Sequence, residues 1–331
     1  MAVNEFSELK NYLDTQIIGQ PELTQALLIA VLADGHLLVE GPPGLAKTRA
    51  VNALAKGIEG SFQRVQFTPD LLPADITGSE VYVSEASNKE EMFQFRQGPI
   101  FGNLVLVDEI NRAPPKVQSA LLEAMEERQI TVSGTSYSLP KLFITMATQN
   151  PVEQEGTYNL PEAQLDRFLM KILVEYPTKD SEKDIMRLVR GERAAKYSQT
   201  EVPTSDKKET KQYSQDTIFS AWQEVANVHT SDEIEDYVVS IIDVTRNPAD
   251  YDDELAKWLG AGASPRATLA LDCASRAHAW LEGRDYTTPV DVQAIIHNVL
   301  RHRLMLSFQA ASSRVSVDAV IDRILSLVVP A

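Results

Sequence analysis

The most constraining feature of this sequence is a glycine-rich loop set between an apolar run and a helical pattern. Leu37-Leu-Val-Glu40 leads into Gly41-Pro42-Pro43-Gly44-Leu45-Ala46-Lys47-Thr48-Arg49, after which Ala50, Val51, Leu54 and Ala55 recur at helical spacing. A strand feeding a helix through such a loop aims backbone N–H groups and the positive helix end at one place, which suits a phosphate chain. Lys47 supplies a charge for the outer phosphates and Thr48 a hydroxyl for a divalent cation. Ala46 departs from the general pattern, which has glycine before the lysine, but one methyl is a modest change. A glycine-rich turn without a ligand would account for this loop taken alone.

A second group argues against the ligand-free turn. Leu104-Val-Leu-Val107 delivers Asp108 and Glu109 at a strand end, where open α/β sheets present ligands. Asp108 is suited to hold Mg²⁺ through its water shell, and Glu109 to orient or deprotonate a water attacking the γ-phosphate. Ile144-Thr-Met-Ala-Thr-Gln-Asn150 is a further apolar run ending in amides, so Asn150 can reach the same water. Arg167, in Leu160-Pro-Glu-Ala-Gln-Leu-Asp166-Arg167-Phe168, reads equally as a local Asp-Arg surface pair or as a functional arginine. Arg266 follows Pro265 at the start of a helical pattern, where the helix dipole disfavours a cation unless an anion is present.

Short apolar runs at 37–39, 65–67, 104–107, 142–147 and 168–174 alternate with segments long enough for helices, which predicts a parallel sheet covered on both faces. Two stretches interrupt this rhythm, 76–98 and 129–139, the second reading as a hairpin about Ser133-Gly134. After Tyr176-Pro177 only helical patterns follow, including 218–228, 234–247, 265–280 and 289–303. The expected division is therefore an α/β domain over 1–177 and a smaller all-helical domain over 178–331. The polar segment 199–215 has no apolar period and reads as a mobile loop. Trp222, Trp258 and Trp280 fall in helical patterns and read as core.

Lysine plus arginine number 31 against 47 aspartate plus glutamate, a net charge of −16, which disfavours a general nucleic-acid surface. The single Cys273 allows neither an internal disulfide nor a zinc cluster, and a reducing cytoplasmic compartment fits. The acidic N-terminus does not resemble a signal peptide. The longest apolar stretch, Ala26 to Ala33, is far shorter than the about 20 residues a membrane helix needs, so a soluble chain is expected.

The ordered set of Gly41 to Thr48, Asp108-Glu109, Asn150, Arg167 and Arg266 resembles the Walker A, Walker B, sensor 1, arginine finger and sensor 2 of AAA+ ATPases. The stretches 108–132 and 147–168 are similar to the MoxR family nearly throughout, and Ala46 is what that family usually carries. The resemblance covers most of the chain and is weakest over 194–215. It implies a P-loop AAA+ core with a parallel sheet flanked by helices and a helical lid, with 76–98 as the helix-2 insert and 129–139 as the pre-sensor hairpin. It implies ATP and Mg²⁺ as cofactors, with Ile17, Ile18 and Gln20 near the adenine, Gly41 to Arg49 around the phosphates, and Thr48 and Asp108 at the metal. It further implies a ring, usually a hexamer, in which Arg167 acts on the neighbour's nucleotide. Arg266, on the lid, would contact the γ-phosphate before cleavage and let the lid turn afterwards.

The activity this implies is Mg²⁺-dependent ATP hydrolysis driving chaperone-like remodelling of a protein client, often one with a von Willebrand factor A domain. Two alternatives belong to other classes. A nucleic-acid-stimulated motor shares the insert and hairpin, but the tip Ser133-Gly-Thr-Ser136 has no lysine or arginine. A nucleotide-gated scaffold with little turnover is opposed by the presence of Glu109.

Overall fold

The computed structural model describes residues 2–42, 45, 47–82, 93–150, 156–197 and 211–330. The core contains α1 (Ala2–Gln16), α2 (Pro21–Leu32), β1 (Leu37–Glu40), α3 (Lys47–Gly57), β2 (Phe62–Gln66), α4 (Pro73–Thr77), β3 (Gly78–Tyr82) and β4 (Phe93–Gln97). It continues through β5 (Leu104–Asp108), α5 (Pro115–Glu127), β6 (Gln129–Val132), β7 (Thr135–Ser138), β8 (Ile144–Gln149), α6 (Glu162–Leu165) and β9 (Met170–Leu173). Then follow α7 (Lys179–Tyr197), α8 (Gln215–Ala226), α9 (Asp232–Arg246), α10 (Asp253–Trp258), β10 (Leu259–Ala261), α11 (Pro265–Leu281), α12 (Pro289–Leu300), β11 (Met305–Leu306), α13 (Phe308–Ser312) and α14 (Val317–Leu327).

Five strands form a parallel sheet in the order β2-β5-β8-β1-β9. The central strands β5 and β8 are buried along their whole length, because helices cover both faces. The edge strand β2 is only partly buried and carries Gln63, Arg64 and Gln66. Register decides what meets at each end of the sheet. Gln66 pairs with Asp108 and Glu40 with Gln149 at the carboxyl ends, while Leu37 pairs with Met170 near the amino ends.

Strands β3 and β4 pair antiparallel, so the stretch expected as an insert over 76–98 is a two-stranded ribbon in its described part; residues 83–92 lie outside the described residues. Strands β6 and β7 form the expected hairpin, closed by Ser133 (φ 50°) and Gly134 (φ 84°), the two left-handed positions that match strand twist in a tight turn. Phe95 of β4 stacks on Tyr137 of β7 with centroids 4.0 Å apart, joining the two ribbons.

The C-terminal helices share one hydrophobic core with α1 and α2. Phe6 meets Trp280 edge to face at 5.3 Å, and Trp222 Nε1 donates to the Val31 carbonyl at 2.6 Å. Trp258 packs against the same core from a partly buried position. Residues 259–261 and 305–306 add a short antiparallel pair to a region whose sequence reads as helices only. Just past the first of these strands the Gly262 backbone passes the Thr245 carbonyl so closely that a Cβ would sit 2.3 Å from its oxygen. Most of the polar loop, 198–210, lies outside the described residues, but its end is anchored: buried Tyr213 bonds the Gly57 carbonyl and, through its hydroxyl, Glu8. Among the described residues no helix is long and apolar enough to cross a membrane.

Candidate functional site

A cleft of about 340 Å³ opens at the carboxyl ends of β1, β2, β5 and β8, lined by Leu45, Lys47, Thr48, Arg49, Arg64, Gln66, Asp108, Glu109, Thr148 and Asn150. Five of the residues singled out in the sequence as chemical groups thus converge: Lys47, Thr48, Asp108, Glu109 and Asn150. Gly41 stays glycine for a steric reason, since a Cβ would lie 2.4 Å from the Val174 carbonyl oxygen. Pro42 is described beside it; Pro43, Gly44 and Ala46 lie outside the described residues. Lys47 is buried and donates to the Gly41 carbonyl at 2.6 Å. Burial holds its ammonium below the ordinary lysine range, against the pull of Asp108, Glu109 and Glu40. An anion beside it would relieve that cost.

Glu109 is held from every side. Asn150 Nδ2 donates to Oε1 at 2.9 Å, while Gln66 Nε2 and Arg112 Nη1 both donate to Oε2 at 2.9 Å. Its backbone lies in the left-handed region (φ 58°, ψ 53°), at a cost of roughly 1–2 kcal/mol for a side-chain-bearing residue. The conformation is kept by bonds from Glu109 N to Thr148 Oγ1 and from Arg112 N to the Glu109 carbonyl, each 2.9 Å. That kink at the end of β5 turns the Glu109 carboxylate over the cleft. Asp108 continues the strand, buried, with Arg64 Nε on Oδ2 at 2.7 Å and Thr148 Oγ1 near Oδ1 at 3.4 Å. The hydroxyl of Thr48 and carboxylate of Asp108 in one cleft fit Mg²⁺, a hard ion that takes one or two carboxylates and otherwise water and phosphate oxygens.

A second, more apolar cavity of about 590 Å³ adjoins the first through Leu45 and Arg49. Its walls include Gln16, Ile18 and Gln20 and, from α7 and the turn before it, Tyr176, Pro177, Ile185, Met186 and Val189. The size and lining suit a purine ring beside the phosphate cleft. Ile18 and Gln20, expected from sequence near the adenine, line this cavity. Ile17 does not: it is 2% exposed and packs in the core, because it faces the helices rather than the cavity. The α7 contribution was missed from sequence, since nothing in its amphipathic pattern says which surface its apolar face meets. Arg64, Gln66, Arg112 and Thr148 were missed as well. The alternation of polar Arg64 and Gln66 along β2 was visible, but only sheet order puts that edge strand beside β5.

Arg167 and Arg266 do not line either cavity. They lie in a separate hollow of about 330 Å³ with Asp34, His36, Glu126, Arg128, Asp166, Cys273 and Arg303. Arg167 Nη2 bonds Glu126 Oε2 at 2.8 Å, and Arg266 Nη2 bonds Glu126 Oε1. This hollow sits at the amino ends of the strands: Arg167 precedes β9, and Asp34 precedes β1. Strand β1 alone interposes four residues, about 13 Å, between it and the P-loop. Buried His36 braces the floor, its ring bonding Thr145 N at 3.0 Å and the Met125 carbonyl at 3.3 Å, with burial pushing its pKa down to about 3.

Comparison with known proteins agrees with the fold. Residues 36–170 match the family described as ATPase family associated with various cellular activities (AAA), and residues 257–324 match the AAA lid domain. The chain is 43% identical over 314 residues to Chaperone MoxR1 of Mycobacterium tuberculosis, across 94% of this chain and 78% of that protein. It is 32% identical over 302 residues to Protein MoxR of Methylorubrum extorquens, across 88% of this chain and 84% of that one. A crystal structure from Cytophaga hutchinsonii, described as a candidate ATPase, shares the fold with a TM-score of 0.87 at 39% identity, covering 100% of this chain and 96% of that one. The likeness runs through core and lid alike, and the chain belongs to the MoxR family of AAA ATPases, nucleotide-binding P-loop enzymes that hydrolyse ATP.

Proposed function

We propose that this enzyme hydrolyses ATP with Mg²⁺, in a ring of identical subunits in the cytoplasm, and uses the cycle to remodel or mature a protein client. The observation that carries the hydrolytic half is the convergence of Lys47, Thr48, Asp108, Glu109 and Asn150 in one cleft next to an apolar cavity of purine size. Lys47 would turn from the Gly41 carbonyl to the β- and γ-phosphates, and Glu109 with Asn150 would orient the attacking water. Thr48 would hold Mg²⁺ directly and Asp108 through water. When bound, the ion neutralises charge on the phosphate oxygens.

Because Arg167 and Arg266 share a hollow at the opposite end of the sheet, we infer that both act on the nucleotide of a neighbouring subunit. Their joint hold on the two oxygens of Glu126 supports this, since it resembles the grip a terminal phosphate would need. In this reading Arg266 does not sense the nucleotide of its own chain, and the lid domain, taken as residues 178–331, reports on the neighbour. The chaperone half rests on the MoxR relatives, and a client with a von Willebrand factor A domain is the first to try.

The deciding measurement is phosphate release from ATP against protein concentration, with and without Mg²⁺, for wild type and Glu109→Gln, with the mass of each species recorded. Specific activity should rise as a ring forms and vanish in the variant. Flat, variant-insensitive release would refute the site and leave a scaffold. Glu109→Gln should also retain a client in the presence of ATP; stimulation by DNA in place of a protein would favour a nucleic-acid motor.

A further inference from the structure

Arg167 is carried by the α/β core and Arg266 by the helical region, so nothing in the chain order fixes the distance between them. Yet both reach one carboxylate, Glu126, one oxygen each. The connection lies just behind them. Arg303, whose side chain is 3% exposed, spends all five of its N–H donors on nearby acceptors. Nε bonds Asp166 Oδ1 at 2.7 Å, Nη1 the carbonyls of Leu169 and Val299, and Nη2 those of Asp166 and Phe168. The segment that carries Arg167 is thereby pinned to the end of α12. The other oxygen of Asp166 accepts from Ser264 Oγ at 2.7 Å, and that hydroxyl in turn accepts from Arg266 N at 3.1 Å as the N-cap of α11. The aspartate next to Arg167 in the chain therefore also holds the N-cap of the helix that carries Arg266.

We propose that Asp166, Ser264 and Arg303 are positioning residues that present Arg167 and Arg266 as a single two-armed clamp for a terminal phosphate held by a second copy of this chain. This rests on the reading that both arginines act across a subunit boundary. The clamp is built before any neighbour arrives, which keeps the entropy of aligning two long side chains out of the catalytic step. Separating core from lid at this end of the molecule would strip the buried Arg303 of its carboxylate.

The test mixes full-length proteins, each with one lesion. Lys47→Ala supplies intact arginines but an empty nucleotide site, and Arg167→Ala supplies an intact site; together they should turn over ATP well above the sum of the two alone. Asp166→Asn is then added to the Lys47→Ala partner or, separately, to the Arg167→Ala partner. In the first, kcat of the mixture should fall about 10- to 100-fold, the scale expected when a reacting group is misplaced by about 1 Å, while KM for ATP holds. In the second, the mixture should stay at the parent level. Ser264→Ala, which leaves Arg303 paired, should act in the same direction and add nothing once Asp166→Asn is present. An equal loss from either partner would make Asp166 a folding or assembly residue and overturn the proposal, as would no loss from either. A parent mixture without complementation would refute action across the boundary itself, and the proposal with it.

Discussion

Replacing Glu109 by glycine and by alanine separates the chemistry of this residue from its strain. Both variants delete the carboxylate and lose the same bonds from Asn150, Gln66 and Arg112, so those losses cancel between them. What differs is the backbone at φ 58°, ψ 53°. Alanine retains the left-handed penalty of roughly 1–2 kcal/mol, and glycine removes it. Glycine gives back about 0.4–1 kcal/mol through its greater freedom in the unfolded chain. The Gly variant should therefore be more stable than the Ala variant by about 0.5–1 kcal/mol, a thermal shift of about 1 °C for a chain of 331 residues. Scanning calorimetry of the nucleotide-free proteins, side by side, measures it. Phosphate release should fall by about 10²–10⁴ in both, so that stability and activity part company. If the Gly variant is no more stable than the Ala variant, the end of β5 is not strained, and the account of how Glu109 is turned into the cleft fails.

If both arginines take a neighbour's phosphate, Glu126 competes for them, and Glu126→Gln should lower the protein concentration for half-maximal ATPase by about two- to fivefold, the scale of a solvent-screened ion pair; an unchanged or raised midpoint counts against that competition. Asp291 accepts from Arg284, His278 and Thr288, and although burial alone would raise it, these partners hold its carboxyl well below the ordinary range. Asp291→Asn should cost about 3–5 kcal/mol at neutral pH by urea unfolding. Because the folded value is the depressed one, that difference is fully present above the unfolded carboxyl value of about 4 and should shrink as pH falls below it; a gap independent of pH would exclude the ionic explanation. Cys273 borders the arginine hollow with its thiol pushed up to about 11 by burial, so at pH 8 about one molecule in a thousand carries the thiolate. Alkylation by iodoacetamide should be slow in the folded protein and fast in denaturant, and rapid labelling of the native enzyme would show that the thiol itself is not shielded.

Much of the nucleotide site was legible because its chemistry is packed into short segments. A P-loop, a strand ending in two acids and a strand ending in Asn150 each carry their meaning within a few residues, and the carboxyl end of a parallel strand is where such groups face a ligand. The five apolar runs marked the five strands for the same local reason. The hairpin at Ser133-Gly134 was legible through its turn, which needs residues that tolerate positive φ.

What the sequence by itself determined, then, was the set of chemical groups and the elements that bear them. Which groups face one another was decided by tertiary structure. Sheet order brought Arg64 and Gln66 of an edge strand against Asp108 and Glu109, although about forty residues separate them. Docking of α7 and the turn before it supplied about half the wall of the apolar cavity, and packing of the N-terminal helices took Ile17 into the core instead. The two arginines fell at the opposite end of the sheet from the P-loop, tied together by an aspartate and a buried arginine 137 residues apart. Periodicity reports whether a residue faces inward along its own element; it carries no information on which other element lies there, because that depends on long-range register and on how buried charges such as Arg303 find their partners.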